Sequence, residues 1–250
     1  MIDSVFESQR SSGLSVRYRI IGKGEKLLFL HGTWVDPFIF DELFNGLSEK
    51  FELLIPDIPP FGQSRSSNTF SLDQYAELFE ELLETLDWRD VVVVGHSFGG
   101  GIALHMGAKC SRVSRIVGFN PIGVPFQRPE IMKQYPEMIF KAVSKLAHDK
   151  KSHILKKLLL DAGHVLIKNP LKPIVETITQ CLCEDEQVLK QIHVPVNIIW
   201  AKQDELLPLS YIKRLHVLVH TISVHYIEGH HNWCLVDQQY TLRLLLKVLS

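Results

Sequence analysis

The stretch VVVVGHSFGGGIALHMGAK, residues 91–109, decides the fold. Four consecutive valines read as a strand covered on both faces, because a half-exposed strand would alternate apolar with polar residues. The run stops in Gly95-His96-Ser97-Phe98-Gly99-Gly100-Gly101 and continues as IALHM, with the spacing of a helix that packs back on the strand. A strand turning directly into a helix leaves one residue at the tip of the turn. That residue can project outward only if its neighbours carry no side chain to collide with strand or helix, and Gly95 and Gly99 meet this need. Ser97 stands at the tip, in the pattern G-x-S-x-G.

The same alternation extends in both directions. Upstream, residues 4–9 and 14–21 alternate like a hairpin around SSG, and residues 27–30 form a short buried strand ending at His31-Gly32. Residues 38–50 carry helical spacing, and residues 51–55 read as a strand ending in PDIPPFGQS. Residues 71–86 form an amphipathic helix with Ser71 as N-cap and Leu72, Tyr75, Leu78, Phe79, Leu82 and Leu83 on one stripe. Downstream come a strand at 114–119, a strand at 196–200, a helix at 211–219, a strand at 221–227 and a closing helix from Gln239. Between 125 and 193 the patterns are helical throughout. The expected architecture is therefore α/β, a mostly parallel eight-stranded sheet with helices on both faces. A helical cap, residues 126–193, interrupts a core formed by residues 1–125 and 194–250.

Bulk properties are those of an enzyme-sized core. The 250 residues are 46% hydrophobic and 22% charged, with a formal net charge of -1, so no clustered basic surface argues for nucleic acid. Cys110, Cys181, Cys183 and Cys234 have neither zinc-site spacing nor the density of a disulfide scaffold, and reduced structural thiols are expected. The first residues lack a basic start followed by an apolar core, and no apolar run is long enough to cross a bilayer. A cytoplasmic protein without membrane contact is the expectation; oligomeric state is open.

A serine hydroxyl is a weak nucleophile until a base takes its proton. In open α/β sheets the chemistry collects just beyond the carboxyl ends of the strands. WAKQDELLP places Asp204 beyond the strand at 196–200, and YIEGHHNW places His230 and His231 beyond the strand at 221–227. The chain order is serine, aspartate, histidine.

With LLFLHG, PDIPPFGQS, GHSFGGG, VPVNIIWAKQDELLP and EGHHNW in register, the chain resembles the α/β-hydrolase superfamily in its esterase and lipase branch. The resemblance covers nearly all of the chain outside the cap. It implies Ser97 as nucleophile, His231 as general base and Asp204 as the carboxylate that orients it. It also implies an oxyanion hole of two backbone N–H groups, those of Thr33 and Phe98, each worth roughly 2.7–4 kcal/mol when lost. No cofactor and no metal are implied.

Several readings stay open at this level. The Asn-Trp register favours His231 over His230, although Gly229-His230 also fits the small-residue-then-histidine pattern. Asp204 is favoured over its neighbour Glu205, and Asn120-Pro121, where some relatives place the acid, offers no carboxylate. Pro60 stands where relatives usually carry glycine, so that turn is expected to be rerouted. HGTWVD lacks the glycine-rich form of the hormone-sensitive-lipase loop, and a serine at the elbow argues against dehalogenase and epoxide-hydrolase chemistry, which attacks through aspartate. His31 and His96 read as packing residues. In the cap, Phe126, Ile131, Met132, Met138, Ile139 and Phe140 are candidates to line an acyl pocket. Lys141, Lys145, Lys150, Lys151, Lys156 and Lys157 form a basic run, read as a solvated helix face over Ile154, Leu155, Leu158 and Leu159; attraction of an anionic membrane or a carboxylate-bearing substrate is the alternative. The expected activity is cleavage of a carboxylic ester with a small-to-medium apolar acyl group. A thioesterase or acyltransferase would use the same residues, and a binding protein on the same fold is the rival from another class.

Overall fold

A computed structural model describes residues 1–10, 14–64, 66, 68–125, 137, 144 and 152–250. Eight strands, β1 (Ile2–Glu7), β2 (Ser15–Gly22), β3 (Glu25–Leu30), β4 (Phe51–Pro56), β5 (Val91–His96), β6 (Val113–Phe119), β7 (Val196–Ala201) and β8 (Ile222–Ile227), form one sheet. Their order is β1-β2-β4-β3-β5-β6-β7-β8. β2 runs antiparallel to both of its neighbours, and the six strands from β4 to β8 are mutually parallel.

Side chains of the central strands alternate between two apolar layers. Leu28, Leu30, Val91 and Val93 face one, while Leu27, Phe29, Val92 and Val94 face the other. This is why residues 27–30 and 91–94 are apolar without a break. Helices α1 (Asp41–Leu47), α7 (Trp233–Val236) and α8 (Gln238–Leu249) cover the second layer; α2 (Leu72–Thr85), α3 (Phe98–Lys109) and α6 (Leu209–Leu218) cover the first. The predicted stripe of α2 is buried, and Ser71 caps it in a reciprocal box with Gln74. Glu81 is also buried on that helix, where it accepts hydrogen bonds from the Ser8 hydroxyl and the Gln9 N–H, both at 2.6 Å.

Residues 38–50 do not form one helix. Asp36 accepts a hydrogen bond from the Phe38 N–H and starts a 3-10 turn at Pro37–Phe40, after which α1 runs separately. The turn at Pro60 is built around a cis Pro59–Pro60 peptide bond. The Tyr75 hydroxyl donates to the Pro59 carbonyl (2.5 Å) and the Asn169 side-chain amide to the Pro60 carbonyl (2.9 Å).

Between β6 and β7 the described residues form α4 (Ser152–Lys168), α5 (Leu171–Cys181) and a 3-10 turn at Glu186–Gln191. Backbone donors of the loop before α2 and of its first residue fasten this segment: Ser66 N–H to Asn169, Phe70 N–H to Thr177 and Leu72 N–H to Glu184. The predicted pocket residues Phe126, Ile131, Met132, Met138, Ile139 and Phe140, and the lysines 141, 145, 150 and 151, lie outside the described residues. No described helix is long and apolar enough to cross a membrane.

Candidate active site

Register brings the ends of the central strands level: Leu30 pairs with Gly95, and His96 with Phe119. Everything that follows β3, β5, β6, β7 and β8 therefore emerges at one edge. Ser97 sits there with φ 53° and ψ −111°, a left-handed conformation that costs a non-glycine residue about 1–3 kcal/mol. Its backbone is held on both sides. The Ser97 N–H donates to the Phe119 carbonyl (2.9 Å), and its carbonyl accepts from Ile122 (3.0 Å) and Gly101 (3.1 Å). The flanking glycines have no room for a side chain: a Cβ on Gly95 would lie 2.3 Å from the Gly99 carbonyl oxygen, and one on Gly99 only 2.2 Å from that of Leu30.

The Ser97 hydroxyl lies 2.8 Å from His231 Nε2, and His231 Nδ1 donates to Asp204 Oδ2 at 2.7 Å. The aspartate is nearly fully enclosed and its carboxylate is saturated. Leu206 and Leu207 donate backbone N–H groups to Oδ1 (2.7 and 2.8 Å), and the Asn120 amide donates to Oδ2 (2.5 Å). Burial alone would raise the Asp204 carboxyl, but the His231 charge and these hydrogen bonds hold it below the usual carboxylate range. His231 is pushed down by burial and lifted by the Asp204 carboxylate, which prevails and leaves the imidazole above its ordinary value of 6.5.

The two adjacent histidines are separated by this geometry. His230 turns away, with Nδ1 3.1 Å from the Gln203 carbonyl and 3.5 Å from Glu205. Glu205 accepts the His231 backbone N–H (3.2 Å) and does not reach its ring at Nδ1, which belongs to Asp204. His31 fixes a loop: Nδ1–H donates to the Gly32 carbonyl (2.7 Å) and Nε2 accepts the Ile58 N–H (2.9 Å), while complete burial lowers its pKa to about 4. His96 is buried beneath the His231 ring, with its centroid 5.3 Å away, and burial lowers it to about 3.

Asn120 is the residue that sequence reasoning treated only as a missing acid. It adopts φ 42° at the end of β6 and joins three elements. Its side-chain oxygen accepts from Ala201 N–H (3.1 Å) and Trp233 Nε1 (2.9 Å), and its amide holds Asp204. The signal available was an asparagine at a strand end, the residue type that best tolerates a left-handed turn after glycine.

Next to Ser97, the loop after β3 runs against the elbow. Gly99 N–H donates to the His31 carbonyl (3.1 Å), and a Cβ on Gly32 would lie 3.5 Å from that of Ser97. The N–H groups of Thr33 and Phe98 have no acceptor among the described residues. Above them is a cavity of about 320 Å³, lined near the serine by Thr33, Trp34, Val35 and His231 and roofed by Leu155, Leu158, Leu159, Ala162 and Leu166 of α4. Among the described residues no three histidine, cysteine, aspartate or glutamate side chains come together to hold a metal.

A family model described as alpha/beta hydrolase fold matches residues 26–161, more than half of the chain. The chain belongs to the α/β-hydrolase family. Among its curated relatives, this α/β-hydrolase is 27% identical over 216 residues to the uncharacterized hydrolase YugF of Bacillus subtilis, covering 77% of each chain. It superposes on a hydrolase from Pseudomonas aeruginosa with a TM-score of 0.83 at 16% identity, covering 99% of this chain and 98% of that one. An esterase from Exiguobacterium antarcticum gives a TM-score of 0.81 at 18% identity, covering 99% of both chains. At such identities these structural likenesses establish the fold, and the eight-stranded, mostly parallel sheet is that fold.

Proposed function

We propose that this α/β-hydrolase is a serine esterase that cleaves a carboxylic ester of small-to-medium apolar acyl chain through an acyl-enzyme. The observation that carries the reading is the chain Ser97 Oγ, His231, Asp204, at 2.8 and 2.7 Å, beneath a largely apolar cavity. In the reaction, Ser97 Oγ attacks the ester carbonyl while His231 Nε2 takes its proton. Asp204 keeps Nδ1 protonated and stabilises the imidazolium that forms. Charge on the carbonyl oxygen is met by the N–H groups of Thr33 and Phe98, which have no acceptor to give up among the described residues. Collapse of this intermediate breaks the ester C–O bond, and His231 returns the proton to the departing alkoxide. Water, deprotonated by His231, then attacks the acyl-enzyme; the second collapse releases the acid and restores the Ser97 hydroxyl. Residues 126–193 act as a cap, with α4 supplying the apolar wall for the acyl chain.

The test is a series of p-nitrophenyl esters of increasing acyl length. Each methylene buried in the cavity is expected to add roughly 0.8 kcal/mol, about a four-fold gain in kcat/KM, until the space is filled. Leu158→Trp should move the optimum to shorter chains while leaving the acetate ester as a substrate. An unchanged optimum would remove α4 from the acyl pocket.

The proposed base also predicts a pH profile. Because His231 must be neutral to act, kcat/KM should rise with pH through a midpoint above 6.5. Asp204→Asn removes the charge that lifts the imidazole while burial still pushes it down, so the midpoint should fall, together with a loss of kcat of roughly 10⁴-fold. A midpoint that does not move in the variant would assign the titration to another group.

A further inference from the structure

Helix α4 carries a second apolar stripe, beside the one that roofs the cavity. Ile154 and Val165 are buried, and Leu155, Leu158 and Ala162 border the cavity. At roughly 100° per residue, Lys156, Leu160, Gly163 and Ile167 share the outward face. Leu160 is 55% exposed and Ile167 83%. A Cβ on Gly163 would meet nothing within 4 Å among the described residues. Leu171, at the start of α5, is also exposed. Leu159 and Leu166 are exposed and also line the cavity, so apolar surface runs without a break from solvent to the space above Ser97. A contiguous exposed patch of this kind marks a surface that meets an apolar phase or partner.

Charge selects the occupant. Lys156 lies within the stripe and Lys157 beside it, while Lys168 and Lys172 stand at its C-terminal end. Lys150 and Lys151 immediately precede α4 in the sequence. Of the nearby acids, Asp161 and Asp41 face Lys157, and Glu176 pairs with Lys172 at 3.8 Å, while Lys156 and Lys168 have no acidic partner among the described residues. Leucine and isoleucine bordered by lysines match a helix lying in the surface of an anionic bilayer, with apolar side chains at the acyl boundary and ammonium groups at the phosphates. We propose that the outward face of residues 156–172 docks on an anionic phospholipid surface, with the mouth of the Ser97 cavity turned toward the lipid. The sequence expectation of a solvated lysine face accounts for the charges and leaves Leu160 and Ile167 without a role.

Docking does not depend on the catalytic reading of Ser97, so binding and turnover are measured separately. The full chain is floated with vesicles of phosphatidylcholine, with and without phosphatidylglycerol, across a salt series. Binding is expected only with phosphatidylglycerol and should weaken as salt rises. Leu160→Glu with Ile167→Glu, and separately Lys156→Glu with Lys172→Glu, should each weaken it roughly ten-fold or more. None of these four residues lines the cavity, so turnover of a short soluble ester should stay native, and Ser97→Ala should bind as the native protein does. Three results would overturn the proposal: no binding to phosphatidylglycerol vesicles at low salt, native binding by both double variants, or a doubled mass in solution that Ile167→Glu reverses, which would make the face a contact between copies of the chain.

Discussion

His231→Ala is expected to lower kcat/KM for a p-nitrophenyl ester by roughly a million-fold, while His230→Ala stays within a few-fold of native. The two histidines are adjacent in sequence and differ in every relevant contact. His231 Nε2 lies 2.8 Å from the Ser97 hydroxyl and its Nδ1 is held by Asp204, whereas His230 faces the Gln203 carbonyl and Glu205. A nucleophile and base that act as one unit lose their effect together. Ser97→Ala should therefore cost about as much as His231→Ala, and the double variant little more. The measurement is steady-state kinetics on the three single variants and the Ser97→Ala/His231→Ala pair. Comparable losses for His230→Ala and His231→Ala would contradict the assigned base, and additive losses would contradict a shared step.

Gly99→Ala is expected to lower the stability of the fold by about 3 kcal/mol or more and to abolish turnover with it. The added methyl would sit 2.2 Å from the Leu30 carbonyl oxygen and 2.6 Å from that of His31. These are backbone atoms of the central strand and of the loop beside Ser97, so no rotamer change relieves the clash. Helix α3 must move off the sheet, and the hydrogen bond from Gly99 N–H to the His31 carbonyl is lost with it. Gly163→Ala is the control, since its Cβ enters open space on a helix; it should be neutral or stabilising by up to about 1 kcal/mol. Urea unfolding of both variants reads the difference in midpoint. A native midpoint for Gly99→Ala would mean that the elbow is looser than these distances require.

The central strands were legible because they are buried on both faces, and continuous Leu27 to Leu30 and Val91 to Val94 have no amphipathic alternative of that length. The positions of Ser97, Asp204 and the histidine pair were legible because each follows a strand of the parallel set, and parallel register brings strand ends to one edge. What separates His230 from His231 is the path of the turn at Gly229, with φ 147°, which no periodicity encodes. Asn120 escaped because its contribution is a set of hydrogen bonds to residues more than eighty positions away. The split between the Pro37–Phe40 turn and α1 escaped because apolar spacing persists across it, although Asp36-Pro37 is a recognisable start. On α4 the apolar residues are numerous enough for two stripes, and spacing alone does not say which one is left outside.

The central claim is that Ser97 is an activated nucleophile, and active-site labelling by a fluorophosphonate tests it most directly. The native protein should gain one phosphonyl group, on the peptide that holds residues 91–109, and lose esterase activity in step with labelling. Ser97→Ala should fold and remain unlabelled, and His231→Ala should label far more slowly. A folded native protein that takes no label, or one labelled at another residue while Ser97→Ala keeps its turnover, would contradict the account.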